Sequence, residues 1–251
     1  MSGEIESSGA FLILGASGGI GSCVAARLKQ AGHRVLLASR GSDRLDRLAA
    51  ELESPKADVD ATNLDEVEAC FAKAEELFGR VDGAANCVGS VLLKPAHMTS
   101  ESEWHETIAT NLTSAFATVR AAAQTMRRGG GSIVLMSSAA GRIGLASHEA
   151  IAAAKAGIIG LAQSAAASYA MRNLRFNVVA PGLVKTKLTK KIWESERGAA
   201  TSQAMHALGR LGEPEQVASL ITWLLDPTNS WTTGEVFSID GGLANVRSSG
   251  R

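Results

Sequence analysis

Short apolar runs alternate with longer stretches whose apolar positions recur at helical spacing along most of this chain. The short runs predict β-strands at Ala10–Leu14, Arg34–Ala38, Lys56–Asp58, Asp82–Asn86, Ser132–Ser137, Arg175–Val179 and Glu235–Ile239. The amphipathic stretches predict helices near 19–31, 43–53, 63–78, 101–128, 148–171 and 214–226. Strand–helix alternation at this spacing implies right-handed βαβ crossovers. The expected fold is therefore α/β, a doubly wound parallel sheet of seven strands flanked by helices on both faces. Near-continuous apolar strands such as Phe11-Leu12-Ile13-Leu14 suit a sheet covered on both sides. No Pro-, Gly- or Ser-rich linker and no internal repeat divides the sequence, so a single domain is expected over residues 1–251. The irregular stretch at about 183–212 exceeds the usual loop length and carries Leu188, Ile192, Trp193, Met205 and Leu208 among charged residues. That composition predicts a small helical flap, a substrate lid over a pocket.

Charge and composition narrow the partners. The 251 residues carry 25 basic and 25 acidic side chains, so nothing in the net charge favours nucleic acid or an anionic membrane. The longest apolar run near the start, Ala10 to Leu14, is far below the roughly 20 residues of a membrane span. The leader Met1-Ser2-Gly3-Glu4-Ile5-Glu6 is acidic and lacks the basic region of a secretion signal. Three scattered cysteines, Cys23, Cys70 and Cys87, do not read as a disulfide framework, and the five histidines show no zinc-ligand spacing. A reducing cytoplasm, a small-molecule partner and no metal are the expectations.

The first candidate for chemistry is a turn. Gly15-Ala16-Ser17-Gly18-Gly19-Ile20-Gly21 follows the first strand and opens a helix. Gly15 permits a tight reversal, Gly19 lets the backbone approach a pyrophosphate, and Gly21 lets helix pack close to strand. The helix N-terminus offers free N–H groups and a positive dipole to the phosphates, with Ser17 and Ile20 inside the same turn. This is the dinucleotide site of a Rossmann domain. An NAD site commonly carries a carboxylate at the end of the second strand. Here that strand ends in Ser39-Arg40. A serine followed by a guanidinium suits a 2′-phosphate, which predicts NADP(H).

Together with motifs further along the chain, these residues resemble the short-chain dehydrogenase/reductase family of the ordinary ketoacyl-reductase-like type, over about residues 9–244. Asp58-Val59 is similar to the family's adenine contact, Asn86-Cys87-Val88-Gly89 to its Asn-Asn-Ala-Gly, and Asn111 to the asparagine of its long fourth helix. Ser137-Ser138-Ala139-Ala140-Gly141 resembles the segment of the catalytic serine, placing that role at Ser138. In Ala180-Pro181-Gly182-Leu183-Val184-Lys185-Thr186, the resemblance places Pro181, Gly182, Val184 and Thr186 at the nicotinamide amide. Arg210 to Glu215 and Thr233 to Gly242 resemble the C-terminal signatures. The resemblance further implies a homotetramer or homodimer, with contacts through the last strand and the helices at 101–128 and 148–171. Leu14, where a threonine is common, and Cys87, for the second asparagine, are small departures.

One departure bears on chemistry. The family's Tyr-x-x-x-Lys keeps its lysine as Lys155, but four residues earlier stands Ile151. The family tyrosine delivers the proton as hydride arrives, and isoleucine cannot. Ser138 can still hydrogen-bond an oxyanion, Lys155 can bind ribose hydroxyls, and Asn111 would hold a water near Lys155. The only tyrosine, Tyr169, lies fourteen residues beyond Lys155 on the same helix, too far to substitute. His148, seven residues before Lys155, is the candidate replacement acid, since histidine donates protons near neutrality. His97, His105 and His206 lack a comparable context. Three readings stay open. The chain is a reductase of a carbonyl or activated C=C with a rearranged acid, or an orthodox carbonyl reductase or alcohol dehydrogenase working slowly through water and Lys155. The third is a catalytically silent NADP(H)-binding homologue acting as partner subunit or sensor.

Overall fold

The computed structural model describes residues 8–127 and 129–247, and the acidic leader lies outside the described residues. Strands β1 (Ala10–Leu14), β2 (Arg34–Ser39), β3 (Lys56–Asp58), β4 (Gly83–Asn86), β5 (Gly131–Met136), β6 (Leu174–Pro181) and β7 (Val236–Ile239) form one sheet in the order 3-2-1-4-5-6-7. Every pairing is parallel, from Ala10 opposite Arg34 to Pro181 opposite Ile239. The helices are α1 (Gly19–Gln30), α2 (Asp43–Glu51), α3 (Leu64–Phe78), α4 (Glu101–Ile108), α5 (Ser114–Thr125), α6 (Glu149–Tyr169), α7 (Lys190–Trp193), α8 (Glu196–Met205) and α9 (Pro214–Leu225). The expected seven-stranded α/β sheet is the one observed, with strand ends moved by one or two residues.

Alternation within strands distributes the core. Leu12, Leu14 and Leu36 face α3, α5 and α6, while Phe11, Ile13, Val35 and Leu37 face α1, α2 and α9. All seven are at most 2% exposed, as a sheet covered on both faces requires. Helix α6, with the turn of 3₁₀ helix that extends it to Arg172, is long and apolar enough to cross a membrane by composition. In this fold it lies against β6 and α5, with Ile158, Ala162, Ala165 and Ala166 in the core.

One expected element differs. The helix expected over 101–128 is broken: α4 and α5 are separated by a π turn at Ala109–Thr113, and Arg128 lies outside the described residues. At that turn the Asn111 side chain donates to the Thr107 carbonyl at 2.9 Å, the acceptor its own N–H would take in an α-helix. The stretch at about 183–212, expected as a small helical flap, contains α7 and α8. It closes on itself, with Val184 bridged to Gly212 and Gly212 N–H donating to Leu183 O at 2.9 Å.

Candidate active site

The glycine-rich turn sits where the strand order reverses, between β1 and β4, at the carboxyl ends of the strands. In open α/β sheets this is where ligands bind. Gly15 has φ +76°, and a Cβ there would stand 2.8–2.9 Å from the backbone of Cys87 and Val88. A Cβ on Gly21 would collide with the Gly15 carbonyl, so helix and turn approach closely only with glycine. The N-cap Gly18 supplies no side chain, and no acid stands in the first turn of α1. Its first N–H groups and the positive end of its dipole therefore face outward uncompensated, which fits the pyrophosphate of a dinucleotide.

Around that turn the fold gathers the other residues singled out for the cofactor. Ser39 Oγ donates to Ser17 Oγ at 2.9 Å, joining the ends of β1 and β2, and Arg40 beyond them is exposed. The Asp58 carboxylate packs against Gly41, and Val59 N–H donates to Ser39 O at 3.0 Å. Ile20 packs on the core beneath the turn. On the other side, a Cβ on Gly19 would lie 3.0 Å from Thr186 Cγ2, so the segment after β6 closes over α1. Val184 is buried beside Gly212. Asn86 differs from the rest: its side chain points inward, donating to Thr118 Oγ1 at 2.9 Å and accepting from Val88 N–H at 2.9 Å. It rivets β4 to α5, and only its backbone is left to a ligand.

Beyond β4 and β5 a second group forms. Asn111 is 1% exposed and grips Ser90 twice: Oδ1 accepts from the Ser90 N–H at 3.1 Å, and Nδ2 donates to Ser90 Oγ at 2.9 Å. Gly89 lies between Asn111 and Lys155, its Cβ position 3.2 Å from Asn111 Oδ1 and 3.4 Å from Lys155 Nζ. Lys155 is 7% exposed and donates from Nζ to Met136 O at 2.9 Å. Burial pushes its ammonium down to about 8, opposed by the Cys87 thiol nearby, which burial in turn pushes up to about 12. The serine segment is locked to the same helix turn: Ser137 Oγ donates to Lys155 O at 2.8 Å, and Gly141 packs on the Lys155 backbone. Ser138 Oγ accepts from Ala140 N–H at 3.2 Å, leaving its own hydrogen to be donated elsewhere.

His148 caps α6, half-buried, directly after Ser147, which holds a left-handed φ of +61°. Its Nδ1 lies 2.7 Å from Ala146 O. A carbonyl only accepts, so Nδ1 carries the hydrogen and Nε2 is the nitrogen that gains or loses a proton. Ile151 is 4% exposed and one helical turn before Lys155, yet belongs to neither apolar cluster on the sheet faces. Tyr169 is remote, its ring 5.8 Å from that of Phe176, in the core.

His206, for which the sequence offers no context, holds a defined place in the fold. It is 4% exposed at the end of α8, with Nδ1–H donating to Ser202 O at 2.6 Å and Nε2 accepting from Leu183 N–H at 3.1 Å. Its ring lies so close to Gly182 that no Cβ would fit there. No motif or spacing marks it. Trp193 adds a second tie, its indole N–H donating to Thr186 O at 3.0 Å.

A parallel sheet with an open glycine-rich turn at its switch point defines a Rossmann-fold dinucleotide-binding protein. A family model described as "Enoyl-(Acyl carrier protein) reductase" matches residues 15–244, and the chain belongs to the short-chain dehydrogenase/reductase family. It is 35% identical over 238 residues to a 3-oxoacyl-(acyl-carrier-protein) reductase of Thermotoga maritima, covering 92% of this chain and 96% of that one. The structure of a short-chain type dehydrogenase/reductase from Mycobacterium ulcerans superposes with a TM-score of 0.91 at 31% identity, covering 96% and 92% of the two chains. An actinorhodin polyketide ketoreductase solved with NADPH superposes at 0.89 with 27% identity, over 95% and 98%.

Proposed function

We propose that the chain is an NADP(H)-dependent reductase, delivering hydride to a carbonyl or activated C=C of a small molecule, with His148 as acid where the family resemblance places tyrosine. The observation that carries this reading is the meeting of Asn111 and Lys155 at Gly89, with the Ser137–Gly141 segment locked to Lys155, beside an open glycine-rich turn. The ketoreductase relative solved with NADPH supports the cofactor.

Bound at that turn, NADPH supplies a hydride. Gly15, Ser17, Gly19, Ile20 and Gly21 would hold its pyrophosphate, Ser39 and Arg40 its 2′-phosphate, and Asp58 and Val59 its adenine. The backbone of Asn86 and Gly89, the Lys155 ammonium, and Pro181, Gly182, Val184 and Thr186 would fix the nicotinamide half. A substrate carbonyl taking up that hydride would gather negative charge on its oxygen, and the residues around it would meet that charge. Ser138 Oγ–H donates to that oxygen, Lys155 adds positive charge, and Asn111 holds a water near Lys155. His148 Nε2 delivers the proton. For a conjugated C=C, the oxyanion is stabilised in the same way and carbon is protonated afterwards from water. Residues 183–212 act as the lid of this single-domain protein. Helices α4, α5 and α6 and strand β7 pair the chain into a homodimer or homotetramer, and its unpaired cysteines suit the cytoplasm.

Two results are expected. His148→Ala lowers turnover by about 10²–10⁴-fold and flattens the pH profile near neutrality. Unchanged turnover removes His148 from the mechanism, and a native protein that binds NADPH without turning over any ketone or enone supports the silent homologue instead. Arg40→Ala weakens NADPH by about 10- to 100-fold, as loss of a charge-assisted hydrogen bond does, and leaves NADH unchanged. Equal affinity of the native protein for the two nucleotides, measured by fluorescence titration, rejects the 2′-phosphate role.

A further inference from the structure

Both helices of residues 183–212 are fastened to the turn after β6 that opens the segment. Near α7 the tie is the Trp193 indole on Thr186 O. At the end of α8 it is His206, whose bonds go in opposite senses: Nδ1–H donates back to Ser202 O on its own helix, and Nε2 accepts from Leu183 N–H in the turn after β6. That turn leads into Val184 and Thr186, and Thr186 overlies Gly19 at the start of α1. The ring is buried against Gly182 and Gly241, in a cavity also lined by Leu208, Arg210, Gln216 and Asp240. Just beyond it, Leu208 N–H donates to Gly241 O at 2.9 Å, so the exit of the segment is anchored separately.

We propose that His206 is a proton-operated latch and a positioning residue: neutral, it fastens α8 to the turn after β6, and a proton on Nε2 unfastens it. Only the Nδ1–H tautomer satisfies both neighbours, because a carbonyl must accept and an amide N–H must donate. A proton on Nε2 converts the acceptor into a donor facing a donor. The half-buried Leu183 N–H then has no partner in the fold, and the ring has to leave the slot for both groups to be solvated. The charges near the ring do not relieve this donor–donor clash, although the Asp240 carboxylate favours the imidazolium. The Asp240 carboxylate already accepts from Gly242 N–H and Ala244 N–H at 2.9 Å each, and Arg210 is a cation that donates to Leu211 O and Gln216 Oε1. Leu183 and Gly182 from the β6 turn and Gln216 from α9 bring no charge. Because the turn carries Val184 and Thr186, release loosens the wall over α1.

Hydrogen–deuterium exchange of peptides spanning residues 183–207 tests this without nucleotide or substrate, so its outcome is separate from that of the proposed reaction. Protection, corrected for intrinsic exchange, is compared at about pH 8 and about pH 5.5, which bracket histidine titration. The native chain is expected to lose about tenfold protection on acidification, the scale of one lost hydrogen bond with a half-buried donor left unpaired. His206→Gln, which offers Leu183 an acceptor that does not titrate, should hold its protection at both pH values. His206→Phe should be weakly protected at both, with β1 and β5 peptides as protected as in the native chain. The Lys185–Glu213 and Lys190–Glu194 pairs are present in every variant, so the Gln variant isolates the histidine. Equal native protection at the two pH values overturns the proposal, as does a His206→Gln chain that loosens with acid as the native one does. Should His206→Phe fail to fold, the native and Gln chains decide alone.

Discussion

In a His148→Ala background, which lacks the proposed acid, Ile151→Tyr is expected to raise ketone reduction by about 10²–10⁴-fold, the usual worth of general acid catalysis. The reason is positional. Residues four apart on a helix are neighbours on one face, so a phenol at 151 stands one turn before Lys155, whose ammonium lowers the cost of losing the phenolic proton. Nothing else has to be built, because Ser138, Asn111 and Lys155 are already held by hydrogen bonds to Ala140, Ser90 and Met136. Ile151 is buried, and a larger ring there costs about 1–3 kcal/mol of stability through crowding. Ile151→Phe separates the two effects, since it crowds equally and carries no hydroxyl. Steady-state NADPH oxidation across a panel of ketones and β-ketothioesters is the measurement. Equal rates for the Tyr and Phe variants in that background exclude a missing acid as what limits it.

Lys155→Met is expected to move function and stability in opposite directions. Turnover should fall by about 10²-fold or more as the charge beside the reacting oxygen is lost. Stability at neutral pH should rise by about 1–3 kcal/mol. The folded chain holds this lysine at about 8 against an ordinary value of 10.5, so folding disfavours its protonated form. At about 1.4 kcal/mol for each pH unit, the full cost is about 3 kcal/mol, less the bond to Met136 O that Met cannot make. The sign fixes the pH window. The cost is fully present below about pH 8 and disappears as pH rises toward 10.5, where folded and unfolded chains both carry neutral lysine. Urea denaturation of both proteins at about pH 7 and about pH 10 should show the advantage of Met shrinking at the higher value. An advantage that does not change with pH would mean it comes from packing and not from the charge.

Residues that act through local pattern are legible in the sequence. Strands β1 and β3 end where apolar alternation ends, and the Gly15–Gly21 turn is placed by its position between a strand and a helix. Apolar alternation alone stops β2 at Ala38, but Ser39 continues the strand, because Val59 N–H takes its carbonyl and pairing with β3 adds one residue. Tertiary bonding is not legible. The π turn depends on Asn111 competing for a backbone carbonyl while gripping Ser90, twenty-one residues away. By motif Asn86 is a ligand contact, yet its amide is spent on Thr118 and Val88. His206 is invisible because its partners are backbone groups at Ser202 and Leu183, and backbone groups leave no trace in residue type.

The apolar character of α6 has a consequence for the order of synthesis. The helix is complete by Tyr169, but β6, the strand that it covers, runs from Leu174 to Pro181 and leaves the ribosome only afterwards. During that interval a helix with the length and composition of a membrane span lacks the strand that it packs against most extensively. The interval is short because only four residues separate helix from strand. A translational pause between them would prolong the exposure and present α6 to chaperones or to the insertion machinery. The nascent chain is therefore most vulnerable between residues 170 and 181, far from the glycine-rich turn and well after it has been made.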